Sequence, residues 1–280
     1  MPVPILIKAA LPSVPLVNQL PGIRKDPHGD PSTLSFSREV TLERNHVAAY
    51  AAVCGFPAKD AVPLTYPHVL AFPLQMSIMT SPEFPFPAIG SVHVENSVTG
   101  HRPIFAGETL DVTARAGSPR PHAKGTTVDF TTEVRVGDEL VWESTSTYLR
   151  RGRGDDSAPS GTTFSEVPPG GVEWRLPADL GRRYAAVSGD RNPIHLYPLT
   201  AKALGFPRQI AHGMWSKARC VAAIENRLPD AVRVDVAFKK PIVLPGSVSF
   251  GVAGTADGHA FSLTRPKDGA PHLVGRAVAV

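Results

Sequence analysis

Residues Tyr184–His195 read YAAVSGDRNPIH, and seventeen positions beyond His195 the chain continues as His212-Gly213-Met214 into an apolar stretch. The segment places an acid, an amide and an imidazole beside residues that restrict the backbone. Gly189 permits a sharp turn before Asp190, while Pro193 fixes its own φ and drives Asn192 out of the helical region. On a continuous helix Asp190 and His195 would lie on diverging faces; in a proline-fixed turn they can converge. A carboxylate and an imidazole facing one small volume are what a paired general base and general acid require, each worth ~10²–10⁴ in rate. Taken alone, Asp190 and Asn192 read more commonly as Asx-turn residues, with His195 on the surface.

The context changes that reading. S-G-D-x-N-P-I-H at Ser188–His195, then Ala201 and Gly205-Phe206, then I-A-H-G-M at Ile210–Met214 resembles the signature of the MaoC-like hydratases. These are the (R)-specific enoyl-thioester hydratases and 3-hydroxyacyl-thioester dehydratases, also called hydratase 2. The resemblance implies a hot-dog fold, a long helix wrapped by an antiparallel sheet, and reversible syn addition of water to a trans-2-enoyl thioester. It makes Asp190 the base that activates water and His195 the acid that protonates the α-carbon. Asn192 orients the pair, and the Gly213 N–H binds the thioester oxygen. Ser188 and His212 are expected against the substrate, His212 in a positioning or packing role. The R configuration rests on the resemblance alone.

The role of Gly213 also has a basis in helix physics. The first N–H groups of a helix lack intrahelical partners and sit at the positive end of its dipole, which suits an enolate-like oxygen. A glycine there lets a carbonyl approach the backbone. On its own, Gly213 reads as a plain glycine at the start of a helix.

At 280 residues the chain suggests about two domains, and its 42% hydrophobic content is that of a soluble globular protein. Cys54 and Cys220 have neither metal-site spacing nor the density of a disulfide scaffold, which fits a reducing, cytoplasmic location. With 29 Lys+Arg against 25 Asp+Glu and no basic block with interleaved aromatics, nucleic acid is a poor partner. The small surplus suits an anionic carrier, coenzyme A or an acyl carrier protein, among other partners. The first residues, MPVPILIKAALPSVPLV, are apolar but broken by prolines. They form no membrane span or secretory leader and read as an extended segment over the first half.

The second half repeats the plan of the first. Tyr184-Ala-Ala-Val-Ser-Gly189 echoes Tyr50-Ala-Ala-Val-Cys-Gly55, and Lys240-Pro-Ile-Val-Leu-Pro-Gly-Ser-Val248 echoes Arg102-Pro-Ile-Phe-Ala-Gly-Glu-Thr-Leu110. Strand-like runs cover 91–98, 109–116, 128–136 and 139–148. A helix is expected around Val69–Met79, with Pro73 kinking it or setting its start. The charged stretch 150–161, RRGRGDDSAPSG, reads as a linker whose arginines are solvated more readily than they meet a carrier phosphate. The expected organisation is an N-terminal extension at 1–33, a degenerate hot-dog half at 34–149, the linker at 150–161 and a catalytic half at 162–280. The fold class is α+β, a double hot-dog of two tandem units, each with a central helix in an antiparallel sheet.

The halves differ chemically. After Gly55 the first reads Phe56-Pro57-Ala58-Lys59-Asp60, and Val69 stands where Gly213 does, so one active site per chain is expected. Asp60 and His68 lack a turn that would converge them. In double hot-dog members such a half shapes the acyl pocket, making Phe56, Phe72, Leu74, Met76 and Met79 candidates to line it; ordinary core is the equal alternative. Lys239 and Lys240 end a strand where they protect its edge or meet a carrier phosphate.

The expected activity is dehydration of (3R)-hydroxyacyl thioesters and its reverse in fatty-acid metabolism. No metal or redox cofactor is called for, coenzyme A or phosphopantetheine entering only with the substrate. His195 should be partly protonated near neutrality, giving a bell-shaped pH profile. Three alternatives stay open: a non-catalytic acyl-thioester-binding subunit, a hot-dog thioesterase, and a dehydratase acting only within a lipid-synthesis assembly. Two hot-dogs in one chain allow a monomer or a homodimer.

Overall fold

A computed structural model describes residues 24–280; the proline-broken segment expected over the first half lies outside the described residues. β1 (Ser35–Thr41), α1 (Arg44–Cys54) and α2 (Pro67–Thr80) precede β2 (Ser91–Gly100), β3 (Thr109–Ala116), β4 (Arg120–His122), β5 (Gly125–Val136) and β6 (Glu139–Arg151). The second series is β7 (Val172–Leu176), α3 (Leu180–Ser188), α4 (Pro193–Leu196), α5 (Pro198–Ala203), α6 (Gly213–Ile224), β8 (Val232–Phe238), β9 (Gly246–Gly254), β10 (Gly258–Thr264) and β11 (Pro271–Ala279).

Among the described residues the strands form one sheet in the order β1-β3-β5-β6-β2-β8-β11-β10-β9-β7, with β4 beside β5. The order is symmetric about the β2–β8 pair: β6 matches β11, β5 matches β10, β3 matches β9 and β1 matches β7. This is the double hot-dog expected from the sequence repeat. Every pair is antiparallel, and β2 meets β8 from Glu95 opposite Ala237 to Gly100 opposite Val232.

Each half wraps its sheet around one apolar helix. α2 buries Leu70, Ala71, Leu74, Ile78 and Met79, because a helix apolar on all sides is stable only when enclosed. Pro73 lies inside α2 and does not set its start; Pro67 does, at the first turn, where no N–H is needed. The bond lost at Pro73 is offset by packing against β1, β3 and β5. Arg150 and Arg151 belong to β6, paired with Ser91 of β2 and with Gly125 and Thr126 of β5, so the sheet claims two residues read from composition as linker. β7, which has no clear alternation, was not foreseen; it forms an edge beside β9.

The central seam carries a lysine. Lys217 of α6 is completely buried. Its Nζ donates to Asn96 Oδ1 at 2.5 Å, Asn96 O at 3.3 Å and Val234 O at 2.8 Å, joining α6 to β2 and β8 at once. The three oxygens satisfy its donors, while burial still pushes its proton affinity well below the ordinary lysine value.

Candidate active site

Gly189 ends α3 in the left-handed conformation, φ +74°, with its N–H on Ala185 O. Three side-chain-to-backbone bonds, each two residues long, then fix the turn. The Ser188 hydroxyl accepts from Asp190 N–H at 3.2 Å, Asp190 Oδ1 from Asn192 N–H at 3.1 Å, and Asn192 Oδ1 from Ile194 N–H at 3.4 Å. The last caps α4, with Pro193 at its first position. Asn192 thus orients His195 through the helix it caps.

His195 is buried, 8% exposed, and its Nδ1–H donates to Ile210 O at 2.8 Å, leaving Nε2 as the free ring nitrogen. Ile210 N–H returns a bond to Ile194 O at 3.0 Å, clasping α4 to the approach of α6. His212 stacks on His195 with centroids 3.7 Å apart and planes at 28°. Its Nε2–H donates to Asp190 O at 3.0 Å and lies 3.8 Å from Asp190 Oδ2. One donor atom from each of Asp190, His195 and His212 falls within a 4.8 Å span, a gap one water can bridge with two ordinary hydrogen bonds. The same three groups form a donor set that a cation could use. Asp190 keeps 26% of its side chain exposed and supplies the solvent-facing edge.

Burial lowers the proton affinity of His195 below the ordinary imidazole value, against an opposing pull from Asp190. His212 is pushed down further, by burial and by His195. Burial thus works against the protonated His195 expected near neutrality, and the Asp190 carboxylate works for it.

Buried histidines couple the site to acid stability. Burial pushes His68 down to about 4, and lowers His93, His195 and His212 as well. As pH falls below ~6.5 the unfolded chain takes up protons that the folded chain refuses, so stability is lost. At pH 5 His68 alone costs about 2 kcal/mol, against a total stability of ~5–15 kcal/mol. Urea unfolding at pH 7.5 and pH 5 is therefore expected to show a loss of at least about 2 kcal/mol. In His68→Gln that loss should shrink by about 2 kcal/mol; an unchanged pH dependence would remove His68 from this account.

Gly213 opens α6 with His212 as its N-cap. A Cβ at Gly213 would lie 3.2 Å from the Phe238 ring. Phe238 is 5.1 Å from His93, which stacks on Tyr148 at 4.5 Å and lies 6.0 Å from His68. Burial dominates both groups, lowering the proton affinity of His68 and raising that of Tyr148, and the Asp190 carboxylate adds a smaller upward pull on each, placing them within its field. His68 Nδ1 and His93 Nε2 are buried without a hydrogen-bond partner. Sequence reasoning missed this polar wall, because its residues come from the other half and no local motif joins them. Lys217 was missed because no local motif marks a buried lysine; after burial, it also lowers His68 and His93.

Phe56 and Met76 are each 7% exposed, and Phe72 is partly buried against the core. Phe56 stacks on Tyr50 at 6.4 Å; Tyr50 meets Tyr184 at 6.1 Å, and Tyr184 meets His212 at 4.9 Å. Lys240 is exposed in the turn after β8, its carbonyl accepting from His272 Nδ1 at 3.1 Å. Asp60 is exposed beside Arg44 while His68 is buried, so the two form no second catalytic pair.

The sequence model of the MaoC-like domain matches residues 161–257. The chain is 42% identical over 268 residues to 3-hydroxyacyl-thioester dehydratase X of Mycobacterium tuberculosis, covering 94% of this chain and 92% of that protein. A crystal structure of HtdX of Mycobacterium tuberculosis superposes with a TM-score of 0.79 at 40% identity, over 88% of this chain and 100% of that one. A MaoC-like dehydratase from Phytophthora capsici, at 21% identity and TM-score 0.73, shares the fold over 89% of this chain and 96% of that chain.

Proposed function

The chain belongs to the MaoC-like family of hydratases and dehydratases, and from that premise we propose that it interconverts (3R)-hydroxyacyl and trans-2-enoyl thioesters of coenzyme A or an acyl carrier protein. The observation that carries this reading is the convergence of Asp190 and His195 beside the N-terminus of α6.

In hydration, Asp190 takes a proton from water as the oxygen attacks the β-carbon, and protonated His195 delivers a proton from Nε2 to the α-carbon. The Gly213 N–H holds the thioester oxygen as negative charge develops there, an interaction of a kind worth ~10²–10³ in rate. In dehydration the roles reverse: neutral His195 removes the α-proton and protonated Asp190 gives its proton to the departing hydroxide. Both directions need one proton between Asp190 and His195, on the imidazole in hydration and on the carboxyl in dehydration.

Ser188 and Asn192 serve by fixing the turn, and His212 by holding the Asp190 backbone while packing on His195. Phe56, Phe72 and Met76 contribute to the apolar wall for the acyl chain, and Lys240 meets the carrier. The degenerate first half, 34–149, supplies that wall to the catalytic half, 162–280. One chain suffices for one site, whether as a monomer or in a homodimer.

The test is loss of enoyl-thioester absorbance with trans-2-enoyl coenzyme A esters of increasing chain length, run beside an assay for free thiol. Absorbance loss without thiol release is expected. Stoichiometric thiol release would establish a thioesterase, and tight binding without turnover of coenzyme A or carrier-protein esters a binding subunit.

A further inference from the structure

Immediately after His195 the chain makes an outward excursion before returning at Ile210. Within it Tyr197 is 53% exposed, Leu199 81% and Leu204 38%. Three of the eight large hydrophobics exposed among the described residues thus fall within eight consecutive positions beside the catalytic turn. Single exposed apolar residues need no explanation, whereas a contiguous group rimmed by charge marks an interaction surface.

Cations dominate the surrounding sequence: between Leu180 and Ile210 there are five, Arg182, Arg183, Arg191, Lys202 and Arg208, and one acid, Asp190, and Lys202 lies on α5 itself. Arg183, Arg191, Lys202 and Arg208 are exposed. Arg182 lies over the Tyr197 ring at 5.2 Å and donates to Leu196 O at 3.0 Å, fixing the ring at the edge of the patch.

The surface is preformed. The Thr200 hydroxyl donates to Pro193 O at 2.7 Å and Tyr197 O at 3.0 Å, and Phe206 N–H to Ala201 O at 3.0 Å. Ala201 is fully buried and anchors α5, so the exposed side chains of Leu199 and Lys202 are carried on a fixed backbone. A rigid apolar centre with basic neighbours lowers the ordering cost of association and selects a partner with acidic and apolar groups interleaved.

We propose that this face of α5 and its flanks docks an acidic carrier protein, which delivers the acyl chain on a phosphopantetheine arm to the adjacent Asp190–His195 turn. The inference rests on the acyl-thioester reading above and commits it to a protein-borne substrate. A nucleotide carrier would use the cations but has no need of Leu199 at its exposed position.

The experiment compares wild type, Leu199→Glu and Lys202→Glu on one trans-2-enoyl chain presented on coenzyme A and on an acyl carrier protein from a dissociated fatty-acid synthase. Binding of the same holo carrier protein is measured calorimetrically in parallel. For the carrier-borne ester, kcat/KM is expected to fall about tenfold or more in each variant and to fall with added salt in wild type. The coenzyme A ester should change by less than about twofold, and carrier binding should weaken in step with the first loss. Equal losses on both esters, or no loss on the carrier-borne ester, would overturn the proposal. So would a wild-type dimer that dissociates in Leu199→Glu with carrier kinetics unchanged, which would give the patch to a second copy of the chain. If wild type turns over neither ester yet binds the carrier through Leu199, the docking face stands and the catalytic reading falls.

Discussion

Asp190→Asn and His195→Asn are each expected to lower kcat for enoyl-thioester hydration by about 10²–10⁴-fold while leaving the protein folded. Asparagine at 190 retains an oxygen for the Asn192 N–H, which Oδ1 holds at 3.1 Å, but cannot accept a proton from water. Asparagine at 195 places an amide N–H where Nδ1 donates to Ile210 O, and removes only Nε2. The double variant should be little worse than either single one, as expected of two groups proposed to serve one proton transfer. In wild type, kcat/KM for hydration should fall as pH rises, since burial already disfavours the His195 proton that the proposed acid must donate. Stopped-flow absorbance with saturating and sub-saturating ester gives both parameters. A folded single variant within tenfold of wild type would exclude its residue from proton transfer.

The parts of this arrangement that were legible in the sequence are those set by local chemistry. Gly189 and Gly55 end α3 and α1 with φ of +74° and +77°, as the echo between Tyr184–Gly189 and Tyr50–Gly55 leads one to expect. Strands at 109–116 and 232–238 follow clean alternation. Elements set by tertiary enclosure were less legible. Pro73 persists in α2 because the surrounding sheet stabilises the helix more than one absent N–H weakens it. Arg150 and Arg151 extend β6 because β5 offers partners to both and β2 to Arg150, which composition does not register.

Within the site the same division holds. The turn that carries Asp190, Asn192 and His195 is determined by Gly189 and Pro193 and could be read directly. The wall of His68, His93 and Tyr148 is assembled by α2 and the β2–β6 pairing, in which His93 lies opposite Tyr148, so no local motif announces it. Lys217 belongs with it: a lysine in an apolar helix stripe reads as a solvent-facing break until Asn96 and Val234 arrive from the facing strands.

That dependence on backbone proximity yields the other large effect, at a residue bearing no chemistry. A Cβ on Gly181 would lie 2.0 Å from the His195 carbonyl oxygen and 3.0 Å from its carbonyl carbon, so α3 and α4 cross in backbone contact. Gly181→Ala must therefore push the His195 backbone away by about 1 Å, because neither atom belongs to a flexible side chain and packed interiors yield little. The displacement acts on a ring held by its 2.8 Å bond to Ile210 O and by its stacking on His212. A misplacement of this size in a catalytic group costs on the order of 10²-fold in rate, and overpacking costs ~1–3 kcal/mol in stability. Gly181→Ala is expected to lose about 10²-fold in kcat while KM for the ester moves little, measured well below its lowered Tm. Gly254→Ala serves as the control, since a Cβ there meets nothing within 4 Å, and both kcat and Tm should stay near wild type. A Gly181→Ala enzyme with undiminished kcat would mean that the proposed acid His195 is not positioned against α3, and its coupling to that helix would have to be abandoned.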